Sequence, residues 1–166
     1  MLINYNGTYI DAKANHLHHS NRAFRYGDVV FEAMIMFHGK INLLHLHCVR
    51  LQEGARILEL IMPENLLAQK IENEISNLCN ANRFANARIR IFLFRKSEGN
   101  YAPLSNDASF IIEAEPIAND HYLWNEEGLK IGVYNEILKP KNIFSNIKTC
   151  NALLYVEAGI FKTHSM

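Results

Sequence analysis

Short strand-like segments joined by tight turns limit what this chain can fold into more than any other feature. Residues 2–5 and 8–10 have the composition of strands, and between them lies Asn6-Gly7, a residue pair typical of a two-residue hairpin turn. A hairpin places its two strands side by side in opposite directions. The start of the chain therefore predicts an antiparallel sheet.

Two further regions continue this pattern. Residues 29–37 and 41–44 flank a turn at 38–40 and predict a second hairpin. Residues 87–95 alternate between the two faces of a strand, and residues 108–115 form another strand that Pro116 closes. These regions extend the predicted sheet well beyond the first hairpin.

Helical periodicity replaces the strand pattern in two places. Between residues 45 and 60, one helix face collects positions spaced by three and four: His47, Arg50, Leu51, Gly54 and Leu58. A second helix is predicted after Pro63, which suits a first helical turn, and it runs to about residue 82. Strands and helices together predict an α+β fold of two layers, with a largely antiparallel sheet and two helices.

The end of the chain fits this domain less well. Residues 129–134 predict a strand and residues 151–161 predict a helix. A segment of about forty residues rarely folds alone, so it either packs on the first domain or begins a second one. We expect an N-terminal domain at residues 1–118, a linker at 119–126 and the start of a second domain at 127–166.

Composition excludes several classes of protein. Seventeen lysines and arginines balance seventeen aspartates and glutamates, so the basic excess of a nucleic-acid-binding protein is absent. The three cysteines lie far apart, which argues against disulfides and favours a reducing cytoplasm. The histidines form no convincing ligand set, so we predict no metal. No apolar run approaches the roughly 20 residues that span a bilayer. We therefore expect a cytoplasmic protein without nucleic-acid or membrane partners.

Arg50 is the first candidate functional residue, because it lies on the apolar face of the first predicted helix. A guanidinium cannot lose its charge, so it needs a partner there. Gly54, one turn later, removes a side chain and could leave space for an anion such as a phosphate. The alternative is a carboxylate of the same chain, with Glu53 and Asp28 as candidates.

Lys148 is the second candidate. It lies at a predicted strand-to-helix junction with apolar neighbours, where partial desolvation would lower the pKa of its amine and free it to form a Schiff base. The alternative is an ordinary solvated lysine, the usual state of this residue type.

Arg90 and Arg95 lie near the end of the strand predicted at residues 87–95, next to a glycine-containing loop. Arginines at strand ends can bind carboxylates, and they can equally face water without a partner. Their spacing leaves both alternatives open.

Three segments of the chain carry motifs in a fixed order. Residues 25–32 read Arg-Tyr-Gly-Asp-Val-Val-Phe-Glu, residues 44–51 contain His-x-x-Arg-Leu, and residues 147–154 read Ile-Lys-Thr-Cys-Asn-Ala-Leu-Leu. Together they resemble the class IV family of pyridoxal-phosphate-dependent aminotransferases. The Lys-x-x-Asn spacing is most similar to that of D-amino-acid transaminases and aminodeoxychorismate lyases.

The resemblance implies a role for each candidate. Lys148 would hold pyridoxal 5′-phosphate through a Schiff base and later shuttle a proton. Arg50 would bind the cofactor phosphate. The substrate side of the site would be formed by four residues: Tyr26, Phe31, His47 and Arg95, of which Arg95 could pair with a substrate carboxylate.

The resemblance also implies an activity and a second domain. The expected reaction moves an amino group between an amino acid and a 2-oxo acid in a homodimer. One alternative is aminodeoxychorismate lyase, which eliminates pyruvate to give 4-aminobenzoate, and another is an inactive fragment or non-catalytic module. Since the sequence ends eighteen residues after Lys148, we expect residues 127–166 to be the incomplete start of an α/β barrel-like cofactor-binding domain.

Overall fold

The computed structural model describes residues 1–14, 17–67, 70–129, 131 and 138–152. Six strands form one sheet, and their bounds are β1 Leu2–Tyr5, β2 Thr8–Asp11, β3 Val29–Phe37, β4 Lys40–Ile41, β5 Ala87–Arg95 and β6 Ala108–Pro116. The helices are α1 Arg22–Tyr26, α2 Leu44–Ile57 and α3 Ile71–Asn82, and short 3₁₀ turns span Glu64–Leu66, Ile143–Asn146 and Cys150–Ala152. The α+β class is therefore confirmed.

The sheet has the order β2-β1-β6-β5-β3-β4, and its neighbouring strands are antiparallel. The predicted hairpin at the start of the chain is confirmed, with Asn6-Gly7 at its turn. The second hairpin is shorter than predicted, because β4 ends at Ile41 and Leu43 takes a left-handed conformation (φ 55°) that starts α2. The centre of the sheet is the long pairing of β5 with β3 and β6.

The hydrophobic core lies between the sheet and the two long helices. On β5 the alternation has the predicted result, with Ile89, Ile91 and Leu93 fully buried. Leu51 of α2 and Leu78 of α3 are buried in the same core. The two helices therefore form one layer and the sheet forms the other.

The predicted second helix is divided. Pro63 precedes a 3₁₀ turn at Glu64–Leu66, and α3 begins only at Ile71. Leu67, which falls inside the predicted helix, precedes α3 and is 46% exposed. Sequence analysis also missed α1, a helix of five residues that begins after the side-chain cap of Asn21 and ends at Gly27.

The opposite face of the sheet carries an open, mostly apolar cavity of about 500 Å³. Residues Val29, Phe92 and Phe94 of the sheet line it, and Phe24 of α1 covers part of it. Among the described residues, no helix is long and apolar enough to cross a membrane.

Most of the predicted second domain lies outside the described residues. This applies to nearly all of the strand predicted at residues 129–134 and of the helix predicted at 151–161. The sheet ends at Pro116, and residues 118–129 are exposed. The domain boundaries at 118 and 127 stay predictions. The described part of this region that matters for the site is residues 138–152, which return to the start of β3.

Candidate active site

The site is built around a buried carboxylate, Glu32, in the middle of β3. Strand alternation places it on the core face between Val30 and Met34, and its side chain is only 1% exposed. A buried carboxylate is costly unless charged or hydrogen-bonding partners surround it. The charged and hydrogen-bonding groups around Glu32 therefore identify the other residues of the site.

Helix α2 supplies two of those partners. Arg50 donates from Nε to Oε1 of Glu32 and from Nη2 to Oε2, both at 2.5 Å, in a bidentate ion pair. His47 Nδ1 lies 2.8 Å from Oε2, and because an ionised carboxylate only accepts, Nδ1 carries the hydrogen. Spacing of three residues puts both side chains on one face of the helix.

These partners decide the charge of Glu32. Burial raises the pKa of its carboxyl, but the hydrogen bonds from Arg50 and His47 and the positive charges of Arg50 and Lys148 outweigh burial. The pKa of Glu32 therefore lies below its usual value, and the carboxylate is ionised at neutral pH.

The expectation that Arg50 has a carboxylate partner is correct, but the partner is not one of the two candidates. Glu53 pairs with Arg56 on the exposed side of α2, and Asp28 pairs with Arg22 and Arg95. The space expected beside Gly54 is also absent. A Cβ at Gly54 would lie 3.0 Å from Cγ1 of Val30, so the glycine lets α2 approach β3 closely.

Lys148 reaches this cluster along the free edge of β3. Because β4 pairs only with Met36 and Phe37, the first half of that edge is open to the segment around Lys148. The backbone N–H of Phe31 donates to the carbonyl of Lys148 (2.9 Å), and Thr149 forms an antiparallel bridge with Val30. The sheet therefore positions the lysine backbone.

The amine of Lys148 lies between an aromatic ring and the ion pair. Its Nζ is 4.7 Å from the ring centroid of Phe31, which itself stacks on Phe92. Burial lowers the pKa of the amine, the charge of Glu32 raises it and the charge of Arg50 lowers it, with a net effect below the usual value. A lysine in this state is neutral more often than a surface lysine and is a better nucleophile.

Tyr26 lies at the end of α1. The residue is 42% exposed, and its ring packs under the guanidinium of Arg22, whose Cζ is 4.9 Å from the ring centroid. Its carbonyl accepts a hydrogen bond from Nδ2 of Asn151 (3.3 Å). The turn at residues 26–27 thus contacts the segment that carries Lys148.

Arg95 does not join the cluster. It is 6% exposed, and its guanidinium donates to the Asp28 carboxylate (2.8 Å), the Asn106 side chain (2.6 Å) and the Leu58 carbonyl (2.6 Å). All three nitrogens already have protein acceptors. This geometry gives no support to the prediction that Arg95 pairs with a substrate carboxylate.

The chemistry of the donor set fits pyridoxal phosphate, which needs an amine for its carbonyl and cations for its phosphate. Lys148 supplies a partly desolvated amine. Arg50 is 48% exposed, and no described residue accepts a hydrogen bond from its Nη1, so that nitrogen can meet a phosphate oxygen while Glu32 orients the rest. In the described part of the chain, no group of three or more His, Cys, Asp or Glu could hold a metal ion.

Sequence analysis missed Glu32 as the partner of Arg50, and it named Asp28 as an ion-pair candidate but for Arg50 and not for Arg22 and Arg95. A signal for Glu32 was available, since it interrupts the apolar positions 30, 34 and 36 on one face of a predicted strand. A single charge on a buried face requires partners, and residues of the neighbouring helix are the natural source.

Solved structures of known enzymes share this fold. They include a branched-chain amino acid aminotransferase from Escherichia coli, with 22% identity, a TM-score of 0.62, and coverage of 70% of this chain and 41% of that chain. A branched-chain aminotransferase from the thermophilic archaeon Thermoproteus uzoniensis, solved with norvaline, has 22% identity, a TM-score of 0.63, and coverage of 71% and 41%. A 4-amino-4-deoxychorismate lyase from Pseudomonas aeruginosa has 25% identity, a TM-score of 0.56, and coverage of 69% and 40%.

These matches cover only part of the solved proteins, since the chain spans about 40% of their length. A search of curated protein sequences gives no match. The sequence model of the family described as amino-transferase class IV, in contrast, matches residues 29–162, which is most of the chain and includes Glu32, Arg50 and Lys148. The chain therefore belongs to the class IV aminotransferase family.

Proposed function

We propose that the protein binds pyridoxal 5′-phosphate through Lys148 and Arg50 and exchanges an amino group between an amino acid and a 2-oxo acid. The observation that carries the proposal is the partly buried amine of Lys148, which lies between the Phe31 ring and the Glu32–Arg50 ion pair. When bound, the cofactor supplies the electron sink for the bond changes at the substrate Cα.

Lys148 has two tasks in this proposal. Its amine is nucleophilic because burial lowers its pKa, so Nζ would be the atom that holds the cofactor by its carbonyl carbon, with loss of water. When it is not attached to the cofactor, the same Nζ would take the proton from the substrate Cα and return it elsewhere.

Arg50 has a binding task, and Glu32 makes it possible. Two of the three guanidinium nitrogens are fixed by the Glu32 carboxylate, which is itself held by His47. The third nitrogen then has a defined direction toward a phosphate oxygen. His47, predicted on the substrate side, acts here by positioning Glu32, and its side chain is 17% exposed.

The substrate side is proposed at Phe31 and Tyr26. The Phe31 ring covers Nζ of Lys148 from one side and excludes water from it. Tyr26 presents a partly exposed ring at the end of α1. Phe31 contacts the amine and Tyr26 contacts the segment that carries it, whereas Arg95 is held by protein acceptors.

A second candidate function is the elimination catalysed by aminodeoxychorismate lyase. The likeness to the Pseudomonas aeruginosa lyase, with 25% identity over 69% of this chain, favours it. The same lysine and phosphate-binding arginine would serve both reactions. We further propose that the protein acts as a homodimer in the cytoplasm, for which the support is the motif resemblance and the cysteine pattern.

The first experiment tests whether Lys148 holds the cofactor. The purified protein is mixed with pyridoxal 5′-phosphate, reduced with borohydride and digested for peptide mass spectrometry. We expect the label on Lys148, with no label at that position in Lys148→Ala and full labelling in the matched control Lys141→Ala, an exposed lysine seven residues earlier. Label on another lysine, or none on the wild type, contradicts the proposal and favours a non-catalytic module.

The second experiment separates the two reactions. The cofactor-loaded protein is incubated with amino acids and 2-oxo acids, and separately with aminodeoxychorismate alone. Exchange of the amino group between the first pair supports the aminotransferase. Release of pyruvate and 4-aminobenzoate without any added 2-oxo acid identifies the lyase instead.

A further inference from the structure

We propose that Asn151 is a positioning residue that holds Lys148 in place by docking its side-chain amide on the backbone turn at Tyr26-Gly27. The proposal rests on the proposed function in one respect, because Lys148 is taken as the reacting amine. Asn151 itself contacts the turn and not the amine.

The contact with Gly27 is the central observation. A Cβ built at Gly27 would lie 2.6 Å from both Cγ and Nδ2 of Asn151, which is closer than any real contact of that kind. The amide of Asn151 therefore fills the space where any side chain at position 27 would begin. Gly27 also has φ 64°, which alone would tolerate an asparagine or aspartate. Any side chain at this position would have to displace the Asn151 amide.

The turn is a firm surface for this docking. The N–H of Gly27 donates to the carbonyl of Ala23 (3.1 Å) and closes α1, and the N–H of Val29 donates to the carbonyl of Gly27 (2.8 Å). The next residue, Asp28, is held by two arginines. Asn151 Nδ2 donates to the carbonyl of Tyr26 at 3.3 Å, so the amide adds a hydrogen bond to the packing.

Lys148 lies between two attachments of its segment. On one side, Ile147 is buried in the core at 3% exposure. On the other side, Asn151 reaches the turn. Between them the sheet contributes one backbone hydrogen bond, from Phe31 to the Lys148 carbonyl, and the bridge at Thr149. Among the described residues, the contacts that remain without Asn151 include the buried Ile147 and these edge contacts of β3. We expect the loss of the Asn151 contact to let the Lys148 side chain move away from Phe31.

The pKa of the Lys148 amine depends on its surroundings, and it can be measured without cofactor. In the part of the chain that the structure describes, the charged groups that act on Nζ are Glu32 from β3 and Arg50 from α2, with His47 bonded to Glu32. Burial is the largest cause of the lowered pKa of Lys148. If the segment shifts outward, water reaches the amine and its pKa rises toward that of an ordinary lysine.

The test measures the labelling of Lys148 by a small acylating reagent over a range of pH, read by peptide mass spectrometry on the protein without cofactor. In Asn151→Ala we expect the labelling curve to move up by about 0.5 to 1 pH unit, so that labelling near neutral pH slows about three- to tenfold. Asn125→Ala, an exposed asparagine in a remote turn, is the control and should leave the curve unchanged. Coincident curves for Asn151→Ala and the wild type would overturn the proposal.

A double-mutant cycle separates this contact from a general loss of structure. Gly27→Ala should displace the Asn151 amide and shift the curve in the same direction. In the Asn151→Ala background the added methyl group meets no amide, so it should add little to the shift. Independent, additive shifts would show that the two residues do not act through one contact. If Gly27→Ala does not fold, Asn151→Asp serves as a separate single-variant test outside the cycle. Its carboxylate keeps the shape of the amide but cannot donate to the Tyr26 carbonyl, so the labelling curve should again move up, and an unchanged curve would contradict the role of that hydrogen bond.

The result is distinguishable from failure of the proposed function. If the wild type takes no cofactor on Lys148 but Asn151→Ala still shifts the labelling curve, the positioning role stands and the enzymatic proposal fails. If the wild type is labelled by cofactor and the curve of Asn151→Ala does not move, only the positioning role fails.

Discussion

Glu32 shows how one residue can join packing to chemistry. It occupies a core position of β3, where an apolar side chain would be the ordinary choice, and it is buried to the same degree as Met34 and Val30. Its carboxylate fixes Arg50 from one side and lies near the amine of Lys148 on the other. The residue therefore determines both the direction of the guanidinium and the charge around the lysine.

Replacing this carboxylate by an amide tests that role. Glu32→Gln should lower the free energy of unfolding by about 2 kcal/mol at neutral pH, because the amide cannot accept both hydrogen bonds of Arg50 and its NH₂ group opposes the guanidinium. Urea denaturation measures the change. Glu53→Gln is the control, because it alters an exposed carboxylate on α2, the helix that carries Arg50.

The difference in the free energy of unfolding between the wild type and Glu32→Gln should change with pH in one direction. Since the folded-state pKa of Glu32 is below its usual 4.5, the stabilisation from the carboxylate is complete above that value and is lost as the pH falls through the folded pKa. The difference in the free energy of unfolding between the wild type and Glu32→Gln should therefore become smaller in acid. A gap that stays constant between neutral pH and about pH 3 would show that Glu32 is not the ionised centre of the site.

Lys148 differs from Glu32, because its buried charge should lower the stability of the fold while its amine serves the proposed function. Folding places a cation where burial disfavours it, so Lys148→Met should raise the free energy of unfolding at pH 7, by less than about 1 kcal/mol since the side chain is only half-buried. The lowered pKa means that this gain is lost as the pH rises through the usual lysine value of 10.5, because well above that value the amine is neutral in both states. Denaturation curves at pH 7 and above pH 10.5 measure it, with Lys141→Met as control. A loss of stability at pH 7 would contradict the description of the site.

At the scale of elements, the close approach of α2 to β3 sets the geometry of the ion pair. Gly54 lies one turn after Arg50, and Val30 lies two residues before Glu32, so the glycine contact and the ion pair belong to the same interface. The two elements have to stay at this separation for Arg50 to reach Glu32. A small increase in side-chain volume at this interface should therefore lower the stability of the fold.

Gly54→Ala should destabilise the fold although alanine is the better helix former. The added Cβ lies 3.0 Å from Cγ1 and 3.3 Å from Cβ of Val30, so the helix must move outward. We expect a net loss of about 1 kcal/mol after the gain in helix propensity is subtracted. Urea denaturation measures it, and Gln52→Ala on the exposed side of α2 is the matched control.

A second substitution checks the cause. Val30→Ala removes the methyl groups that the new Cβ would meet, so the double variant should lose less than the sum of the single variants. Strict additivity would mean that the cost of Gly54→Ala comes from somewhere other than this interface.

The same scale explains which elements could be predicted from sequence. The alternation of Ile89, Ile91 and Leu93 is a local pattern, and β5 was predicted with the correct bounds. The start of α2 at Leu44 lies within one residue of the predicted start at residue 45, whereas its end at Ile57 comes before the predicted end at residue 60. The partner of Arg50 could not be found locally, because Glu32 lies eighteen residues earlier on another element. Packing, and not spacing, brings that pair together.

At the scale of the molecule, Asp28 joins parts of the chain that are far apart in sequence. Its Oδ2 accepts from Nε of Arg22 and from Nε of Arg95, both at 2.8 Å. Arg22 also donates to the carbonyls of Gly99 and Asn100, and Arg95 donates to the carbonyl of Leu58. One carboxylate thus links α1, β5, the end of α2 and the loop after β5.

Asp28→Asn should be among the more costly single substitutions in this protein. It leaves two buried guanidinium groups without their negative partner, and we expect a loss of about 3 kcal/mol in the free energy of unfolding. The loop at residues 99–100 should also become more accessible to limited proteolysis, because Arg22 loses its fixed position. Asp120→Asn, at an exposed site, is the control. Unchanged stability and unchanged proteolysis would show that the arginines are held without the carboxylate.

The docking of the Lys148 segment on β3 has a consequence for the order in which the molecule forms and opens. The contact of Asn151 with Tyr26 joins residues that are 125 positions apart. Few interactions compensate for the loss of chain entropy when this loop closes. The pairing of β1 with β6 closes a loop of similar length but belongs to a continuous sheet. The lysine segment should therefore be the last part to dock during folding and the first to leave in native-state fluctuations. In hydrogen exchange, the amide of Phe31 would lose its protection before the centre of the sheet does.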